Sequence, residues 1–378
     1  MNKSEFINRL EKALGNMKWE EKKEVIYDYE EYFANAVSEG KAEEQAAEEL
    51  GNPEEIALNY FQESGAKSES AGSSSSSFSS VVNNIVKSAL SFASQSLNEA
   101  FNLEKVEISS ESIADVANAQ KLEIHKCRGV DVKIVKASDA RFAGSLKGMA
   151  NTNPERVPIL THSYDPGQQI ITFLIDWKGQ KAAGITGELI INVPESFCGE
   201  IEVETVSGNL LQVPENIRGL SYKSVSGEIA VESLSVAEEV SVKTVSGDLK
   251  SDKLNCQKIV FKSVSGDLKG DGVSTESLKF DSTSGTLKLA LINRPEHIKF
   301  NTVSGNGVLN LPSGSAVDLS FKSISGRMKS EIPFVVESEK KGFGTFKFKG
   351  ACAGEGSIKI DAKTVSGSIK IDREGEAK

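Results

Sequence analysis

The sequence lacks the features by which chains are exported or inserted into a membrane. No apolar run approaches the roughly 18 residues of a membrane span. The opening segment MNKSEFINRLEKALGN mixes charged and apolar residues and has no small-residue cleavage site, so it does not have the pattern of a secretory signal. We therefore expect a cytoplasmic protein without a transmembrane segment, with the cell surface as the alternative.

Residues that could support metal, redox or cofactor chemistry are few and widely separated. There is no CxxC, no HExxH and no phosphate-binding GxxxxGK[ST] motif. We therefore predict structural cysteines and histidines, no cofactor and no metal site. These residues are Cys127, Cys198, Cys256, Cys352, His125, His162 and His297.

Basic residues are also in deficit, with 44 Lys and Arg against 54 Asp and Glu and a net charge of -10. Residues 1–69 hold 17 acidic and 8 basic residues, a net -9, which leaves 37 against 36 for the rest of the chain. Nonspecific nucleic-acid binding depends on Lys and Arg contacts to phosphate. We therefore expect no nucleic-acid partner.

The segment 1–64 has the pattern of a small helical domain. Phe6, Leu10 and Leu14 are four positions apart, as on one face of a helix. Gly15 follows, where a helix can end. Three more helices are predicted, the second over 19–39 and the fourth within NPEEIALNYF. The segment YDYEEYF suits either an acidic docking surface or an ordinary amphipathic helix face.

A serine-rich stretch separates this domain from the rest of the chain. It cannot bury enough apolar surface to offset its chain entropy, so we predict a flexible linker over 65–80. Apolar residues then recur with helical spacing over 81–103. We predict that this helix caps the open end of the next domain. Peripheral membrane contact is the alternative, and it is weakened because Lys87 is the only basic residue on the polar face.

From about position 186 one motif recurs, as in TVSGNL, SVSGEI, TVSGDL and SVSGDL. Its glycines follow one another at a nearly constant spacing, and only the last interval, from Gly326 to Gly367, is twice as long. Such a period predicts an array in which each unit packs on its neighbours. The first glycine of the motif is Gly187, and the predicted turn glycines are Gly208, Gly227, Gly247, Gly266, Gly285, Gly305, Gly326 and Gly367.

Apolar and polar residues alternate within each unit, which is the pattern of strands. We predict a parallel β-solenoid of about 20 residues per coil, in which equivalent positions stack about 4.8 Å apart. The predicted interior column is Val203, Tyr222, Val242, Phe261, Phe280, Phe300 and Phe321. The predicted hydroxyl ladder is Ser207, Ser226, Ser246, Ser265, Ser284, Ser304 and Ser325.

The regular coils are predicted over 186–372. Residues 104–185 are strand-rich but less regular, and we predict irregular early coils there. The segment 140–167 between their strand-rich parts is predicted to be a loop excursion. Residues 333–356 are predicted to be another excursion that replaces one regular unit.

The Ser-Gly turns do not have the pattern of a catalytic site. A nucleophilic serine needs a base within hydrogen-bonding reach, and no histidine recurs at a fixed offset from these serines. A polysaccharide-cleaving enzyme would need a carboxylate cluster on one face. Asp248 and Asp267 occupy equivalent positions, but the next unit has Thr286. We therefore predict a protein that is not an enzyme.

Lysines recur three residues after several turn glycines and should stack as a basic stripe. Such a stripe could hold an acidic polymer, a teichoic-type glycan or the acidic helical domain by complementary potential. The alternative is a solvated face that discourages aggregation of a β-rich surface. The stripe residues are Lys250, Lys269, Lys288, Lys329 and Lys370.

The tandem SVSGDL coils, together with INVP and VEISSES, resemble the bacterial putative-adhesin family of domains of unknown function. This resemblance covers residues 104–372 and implies a β-helix-like fold without catalytic residues. The segments MNKSEFINRLEKAL, YDYEEYF and EELGNPEEIA resemble the HAAS helical domain. In that family, such domains often precede membrane segments and are linked to signalling alongside PadR-like regulators.

The sequence therefore predicts a multidomain protein with a small all-α N-terminal domain (1–64) and an all-β parallel solenoid with a capping helix. We expect a non-enzymatic interaction or scaffold protein whose helical domain docks a protein partner and whose solenoid presents a binding surface, in signalling or envelope regulation. The alternative is a cell-surface adhesin that binds glycan or host protein along the solenoid.

Overall fold

The computed structural model describes residues 2–13, 104–116, 118–180, 184–342 and 345–373, together with helical positions 26, 33, 43, 44, 47 and 53. The chain divides into two compact units, residues 1–80 and residues 81–378. The predicted linker over 65–80 and the predicted helix over 81–103 lie outside the described residues, as does most of the second to fourth predicted helices.

The first unit begins with helix α1, Lys3–Ala13. The side-chain Oδ1 of Asn2 accepts the backbone N–H of Glu5 at 2.9 Å, which satisfies one of the free donors at the helix start. Phe6 and Leu10 are fully buried, and the Phe6 ring meets the Phe33 ring edge-on at 5.3 Å. The predicted N-terminal amphipathic helix is confirmed.

The second unit is built almost entirely of strands. In chain order they are β1 Glu104–Ala114, β2 Lys121–Cys127, β3 Val130–Ala137, β4 Phe142–Thr152, β5 Ile159–Asp165, β6 Ile170–Asp176, β7 Gly184–Pro194, β8 Glu200–Thr205, β9 Leu210–Gln212, β10 Ile217–Ser224, β11 Ile229–Thr244 and β12 Leu249–Asn255. They continue as β13 Lys258–Ser263, β14 Leu268–Ser274, β15 Ser277–Ser282, β16 Leu287–Leu291, β17 His297–Thr302, β18 Gly307–Leu311, β19 Ser315–Ser323, β20 Met328–Ser330, β21 Val335–Gly342, β22 Thr345–Cys352, β23 Glu355–Thr364 and β24 Ile369–Arg373.

Each coil adds one strand to each of two parallel sheets, which enclose the core between them. Sheet A runs in spatial order through β7, β3, β9, β11, β12, β14, β16, β18, β24 and β20. Sheet B runs through β6, β2, β8, β10, β11, β13, β15, β17, β23 and β19. The first half of β11 lies in sheet A and its second half in sheet B.

The ends of the stack are antiparallel. Strands β4 and β1 extend sheet A beyond β7, and β5 extends sheet B beyond β6. The loop excursion predicted over 140–167 is therefore wrong, because this segment forms β4 and β5. At the other end, β22 and β21 form a hairpin that extends sheet B beyond β19. The predicted mostly β fold is therefore confirmed, with parallel pairing in the middle of the stack. The excursion predicted over 333–356 contains this hairpin.

The register of the parallel strands stacks like residues on one another. Phe261 lies opposite Phe280, and Phe280 lies opposite Phe300. Their ring centroids are 5.4 and 5.5 Å apart, their planes are nearly parallel, and all three side chains are fully buried. Burying one phenylalanine stabilises the fold by roughly 1.5–3 kcal/mol. This column is therefore a major source of stability for the middle coils.

The coils are not stacked in the order in which the chain visits them. The sequence predicts that Phe300 and Phe321 are neighbours, but Ala362 lies between them. That prediction is wrong because, after β18, the chain passes through the outer coil β19–β20 and the hairpin β21–β22. It then returns to place β23–β24 between β17–β18 and β19–β20. The double-length interval between Gly326 and Gly367 is this outward and return path.

The opposite end of the solenoid has the same arrangement. The coil β2–β3 is the first along the chain, yet it lies between β6–β7 and β8–β9. The first and last coils of the chain are therefore each covered on both sides. Other coils of the same chain occupy the exposed ends of the stack.

The turn glycines lie at corners where successive coils approach most closely. A Cβ on Gly247 would lie 2.0 Å from the carbonyl oxygen of Gly227, and a Cβ on Gly266 would lie 2.0 Å from that of Gly247. Neither glycine has a left-handed φ. These positions therefore require glycine because of the close approach of two coils and not because of an unusual backbone conformation.

The buried hydroxyls lie three residues before each turn glycine. Ser282 Oγ accepts the N–H of Gly285 at 2.8 Å, and Thr244 Oγ1 accepts that of Gly247 at 2.7 Å. The serines of the predicted ladder are exposed at the corner, as Ser284 is. Ser284 lies two residues after the buried Ser282 and would also face inward if the strand continued. The strand ends at Ser282, and the turn directs Ser284 to the surface. The buried positions are Thr205, Ser224, Thr244, Ser263, Ser282, Thr302, Ser323 and Thr364.

Candidate binding surface

The predicted lysine stripe lies on the outer face of sheet A, but it is not continuous. Three of its lysines are cross-strand neighbours, and a valine follows them. The interruption arises because the position on β18 is a valine and the returning coil places β24 next to it. In spatial order the positions are Lys250, Lys269, Lys288, Val308, Lys370 and Lys329.

Most of this stripe is neutralised by nearby carboxylates. Lys250 Nζ lies 2.7 Å from Glu228 and 3.0 Å from Asp248, and the hydrogen bond to Glu228 raises the pKa of Lys250. Lys269 Nζ lies 2.8 Å from Asp267. Lys370 is paired with Asp372, and only Lys288 and Lys329 form no ion pair with the residues that the structure describes. The stripe therefore offers little free positive charge.

The residues after the turn glycines tie one coil to the next. Asp248 Oδ1 accepts the backbone N–H of Asp267 at 2.8 Å, and Asp267 Oδ1 accepts that of Thr286 at 2.7 Å. Burial opposes ionisation of Asp267, but the bonds from Lys269 and Thr286 outweigh it and lower the pKa of Asp267. These two carboxylates, considered above as a catalytic cluster, are therefore engaged in holding coils together.

The outer face of sheet B is acidic towards its β2–β8 end. Lys121 Nζ lies 2.6 Å from Glu123 and 2.8 Å from Glu202, and His125 lies 3.1 Å from both Glu123 and Glu204. Burial opposes ionisation of Glu202, but its lysine partners lower its pKa to about 2. The bond to Glu204 raises the pKa of His125. The charges here are paired with one another.

A longer basic feature runs along the same face away from this acidic end. Seven of nine successive outward positions, one on each strand, are lysine. Because neighbouring strands are about 4.8 Å apart, the nine positions span about 38 Å. We name these seven lysines the lysine column. In spatial order the nine positions are Lys223, Lys243, Lys262, Asp281, Asn301, Lys363, Lys322, Lys347 and Lys340.

Nearly all of the lysine column is without an acidic partner. Lys223 is bonded to Glu202, and the other six form no ion pair within the described part of the chain. Burial and the neighbouring Lys279 and Lys243 lower the pKa of Lys262. Like charges are therefore crowded along this line.

The two positions that interrupt the column do not reverse its charge. Asp281 is buried, and its carboxylate accepts a hydrogen bond from Asn301 Nδ2 at 2.7 Å. Lys279 Nζ lies 3.2 Å from the same carboxylate. In the adjacent row, Lys299 lies directly beside Lys279 and forms no ion pair with any described residue. Beside the gap, positive charge is therefore supplied by Lys299, which lies between Lys279 and Asp361 in the adjacent row.

The sequence carries a signal for part of this column that the predicted stripe does not include. Five of its lysines occur four residues before a turn glycine, whereas the predicted stripe contains only lysines three residues after glycine. Lys340 and Lys347 have no such signal because they lie in the irregular hairpin. The five lysines are Lys223, Lys243, Lys262, Lys322 and Lys363.

Other features of the surface are less suggestive of chemistry. A polar depression of about 410 Å³ is lined by turn residues that include Asn255, Gln257 and Asn293. The Asn293 amide is used to bond the backbone of Thr275 at 3.0 and 2.9 Å. In the described ranges no three His, Cys, Asp or Glu residues are placed to hold a metal ion. Nor is any described helix long and apolar enough to cross a membrane.

The two-sheet solenoid with glycine corners has a counterpart among known families. The family model of Toastrack DUF4097 matches residues 120–372. The chain belongs to this family. Ahead of the Toastrack domain, the HAAS family model matches residues 5–59. Both resemblances seen in the sequence are therefore confirmed. No curated protein matches this Toastrack chain significantly.

Three solved structures resemble the Toastrack chain at low sequence identity. A "putative cell adhesion protein" from Clostridium sporogenes is 14% identical, with 71% of this chain and 100% of that chain covered and a TM-score of 0.22. A "putative adhesin" from Parabacteroides merdae is 10% identical, with 70% and 95% covered and a TM-score of 0.37. One from Parabacteroides distasonis is 12% identical, with 70% and 97% covered and a TM-score of 0.34. At these TM-scores the likeness carries no functional argument.

Proposed function

We propose that this Toastrack protein is a non-enzymatic binding protein that acts as a scaffold. In this proposal the HAAS domain docks a protein partner, and the solenoid displays a charged surface to a second partner in signalling or envelope regulation. The observation that carries the proposal is the register of the stacked coils, which holds outward side chains of nine strands in one line.

A stacked parallel sheet is well suited to display. Every interior strand is hydrogen-bonded on both sides, and the corners are tied by side chains such as Asp267 and Ser282. A surface that is already ordered loses little conformational entropy when it binds. The solenoid therefore favours a preorganised binding role. A regular coil length set by the glycine spacing, the capping helix over 81–103 and a cytoplasmic location are parts of this proposal.

Capture from native cells tests the proposal. The full chain would be crosslinked in cells and its partners identified, after fractionation of cytosol, membrane and medium and protease treatment of intact cells. We expect a protease-protected chain that captures a defined protein. Phe6→Asp should abolish that capture, because Phe6 is fully buried in the helical unit and packs on Phe33. The solenoid should remain folded in this variant.

Two outcomes would contradict the proposal. A chain cut by protease on intact cells would move it outside the cell and favour the adhesin alternative. Turnover of a polysaccharide or other substrate by the purified chain would replace the binding role with an enzymatic one.

A further inference from the structure

We propose that the lysine column binds a linear phosphodiester polymer without bases, of the poly(glycerol phosphate) kind. This inference rests on the proposed function and deepens it by naming the surface and the chemical class of the partner. The surface is the outer face of sheet B from β10 to β21, and not the predicted stripe on sheet A.

The geometry of the column favours a linear partner. Its positive charges lie in one row across successive strands, at intervals of about 4.8 Å. An extended polyanion laid along this row would contact several lysines at once and release the counterions that it holds in solution. A compact anion would neutralise one or two lysines and leave the rest of the row unsatisfied.

The chain retains this row although it is unfavourable to the fold by itself. Lys322 lies between Lys363 on one neighbouring strand and Lys347 on the other. Like charges directly opposite each other on adjacent strands are destabilising. On sheet A the lysines at equivalent spacing are mostly neutralised, as Lys250 is by Glu228. The contrast within one acidic chain indicates that the column is neutralised by an external anion.

The residue types in the column suit a phosphate polymer that carries no bases. The column contains lysine and no arginine, so it offers the point charges by which lysine binds phosphate groups and lacks the planar fork that makes two-point contacts with a single carboxylate or phosphate. Binding of single-stranded nucleic acid combines positive charge with exposed aromatic side chains on which bases stack. Among the described residues, no large aromatic side chain is exposed.

The column also has a defined beginning. Beyond Lys223, the next outward position on the neighbouring strand is Glu204, and the acidic group of Glu123 and Glu202 follows. An anionic polymer would be repelled there. The bound segment of the polymer should therefore begin at β10 and run across the strands to the hairpin β21–β22.

The experiment compares two sets of charge removal in the full chain. One variant combines Lys322→Gln, Lys347→Gln and Lys363→Gln in the column. The matched control combines Lys250→Gln, Lys269→Gln and Lys288→Gln on sheet A, so that both lose three lysines in register. Binding of poly(glycerol phosphate) would be measured by calorimetry at about 50 and 200 mM salt, a range over which polyanion binding weakens strongly.

We expect the column variant to bind about tenfold or more weakly, with a salt slope reduced by about 2, since each lost contact to a single strand contributes about 0.7. The sheet A variant should bind within about twofold of the unmodified chain. Circular dichroism would check that both are folded. As a second test, Asn301→Lys should tighten binding, because it adds a positive charge to the column next to Lys363.

Several results would overturn the inference. These are no binding at low salt, equal losses in both triple variants, or binding of oligothymidine or anionic phosphatidylglycerol vesicles as tight as that of the polymer. If the polymer does not bind but the chain still captures a protein partner in cells, the inference fails while the proposed function stands. Failure of both experiments would remove the proposed function as well.

Discussion

At the scale of single residues, the solenoid depends on the close approach of its corners. The glycine of one coil lies against the carbonyl group of the glycine in the next, as Gly266 does against Gly247. The hydroxyl three residues earlier then satisfies the glycine N–H inside the turn, as Ser282 does for Gly285. The close approach recurs at each regular corner, and the hydroxyl accepts the glycine N–H at all of them except Gly266, where the Ser263 hydroxyl instead donates to the glycine carbonyl at 2.9 Å.

Gly266→Ala should destabilise the solenoid. The new Cβ would lie 2.0 Å from the Gly247 carbonyl oxygen, which forces the coils apart, and we expect a loss of about 3 kcal/mol in the free energy of unfolding, at the upper end for overpacking. Gly184→Ala is the control, because nothing lies within 4 Å of its Cβ position. Urea unfolding of both variants measures the difference, and equal stabilities would contradict the close-contact account.

Ser282→Ala and Ser284→Ala separate the buried hydroxyl from the exposed one in the same turn. Removing Ser282 Oγ leaves the buried N–H of Gly285 without its acceptor, which should cost about 1–3 kcal/mol. Ser284 Oγ makes only a 3.4 Å contact to the Val264 carbonyl, so its removal should change stability by less than about 0.5 kcal/mol. Thermal unfolding would compare the two, and a larger loss in Ser284→Ala would reverse this assignment.

At the scale of elements, the stacking order of the coils follows the path of the chain and cannot be read from the repeat alone. In a simple repeat array the last unit covers one neighbour and is the easiest to lose. Here the last coil, β23–β24, is bonded to β17–β18 on one side and to β19–β20 on the other. The two outermost coils, β6–β7 and β19–β20, are neither the first nor the last along the chain, and the C-terminal coil lies inside the stack.

Hydrogen exchange should reveal this order. We expect amides of β23 and β24 to exchange more slowly than those of β20, because both strands are bonded on two sides and β20 is a short edge strand. Mass spectrometry of peptic peptides measures the rates. If the C-terminal coil exchanged first, the coils would be stacked in chain order and the lysine column would be broken at Lys363.

At the scale of the whole molecule, charge is segregated. The acidic excess belongs mainly to residues 1–69, whereas the solenoid is nearly neutral and has an acidic end and a basic line on one face. Segregation of this kind creates local potential that net charge does not reveal. A chain with a net charge of -10 can therefore bind anions at one surface.

Lys322→Gln should stabilise the fold, although the lysine is part of the proposed binding surface. It removes repulsion from Lys347 and Lys363, and we expect a gain of about 0.5 kcal/mol at low salt. Lys250→Gln should instead lower stability, because it removes ion pairs with Glu228 and Asp248. Thermal unfolding at low and high salt measures both, and screening should shrink the two effects. A loss of stability in Lys322→Gln would contradict the repulsion between Lys322 and its two neighbouring lysines.

Much of the fold could be predicted from local pattern. Strand alternation identified the interior of the middle coils, and Phe261, Phe280 and Phe300 do stack as predicted. The binding surface could be predicted only in part. Lys363 and Lys322 are two repeat periods apart in the sequence yet lie side by side, and Lys347 belongs to a hairpin that breaks the repeat.

The sequence by itself determined the strands, the corners and which side chains face inward, because these follow from alternation and turn chemistry within about one coil of chain. Only the tertiary structure decided which coils are neighbours. The reason is that successive coils have interchangeable patterns, so a strand such as β23 fits several positions in the stack. Its place depends on long-range pairing and on how the outer edges are covered, and that choice assembles the lysine column.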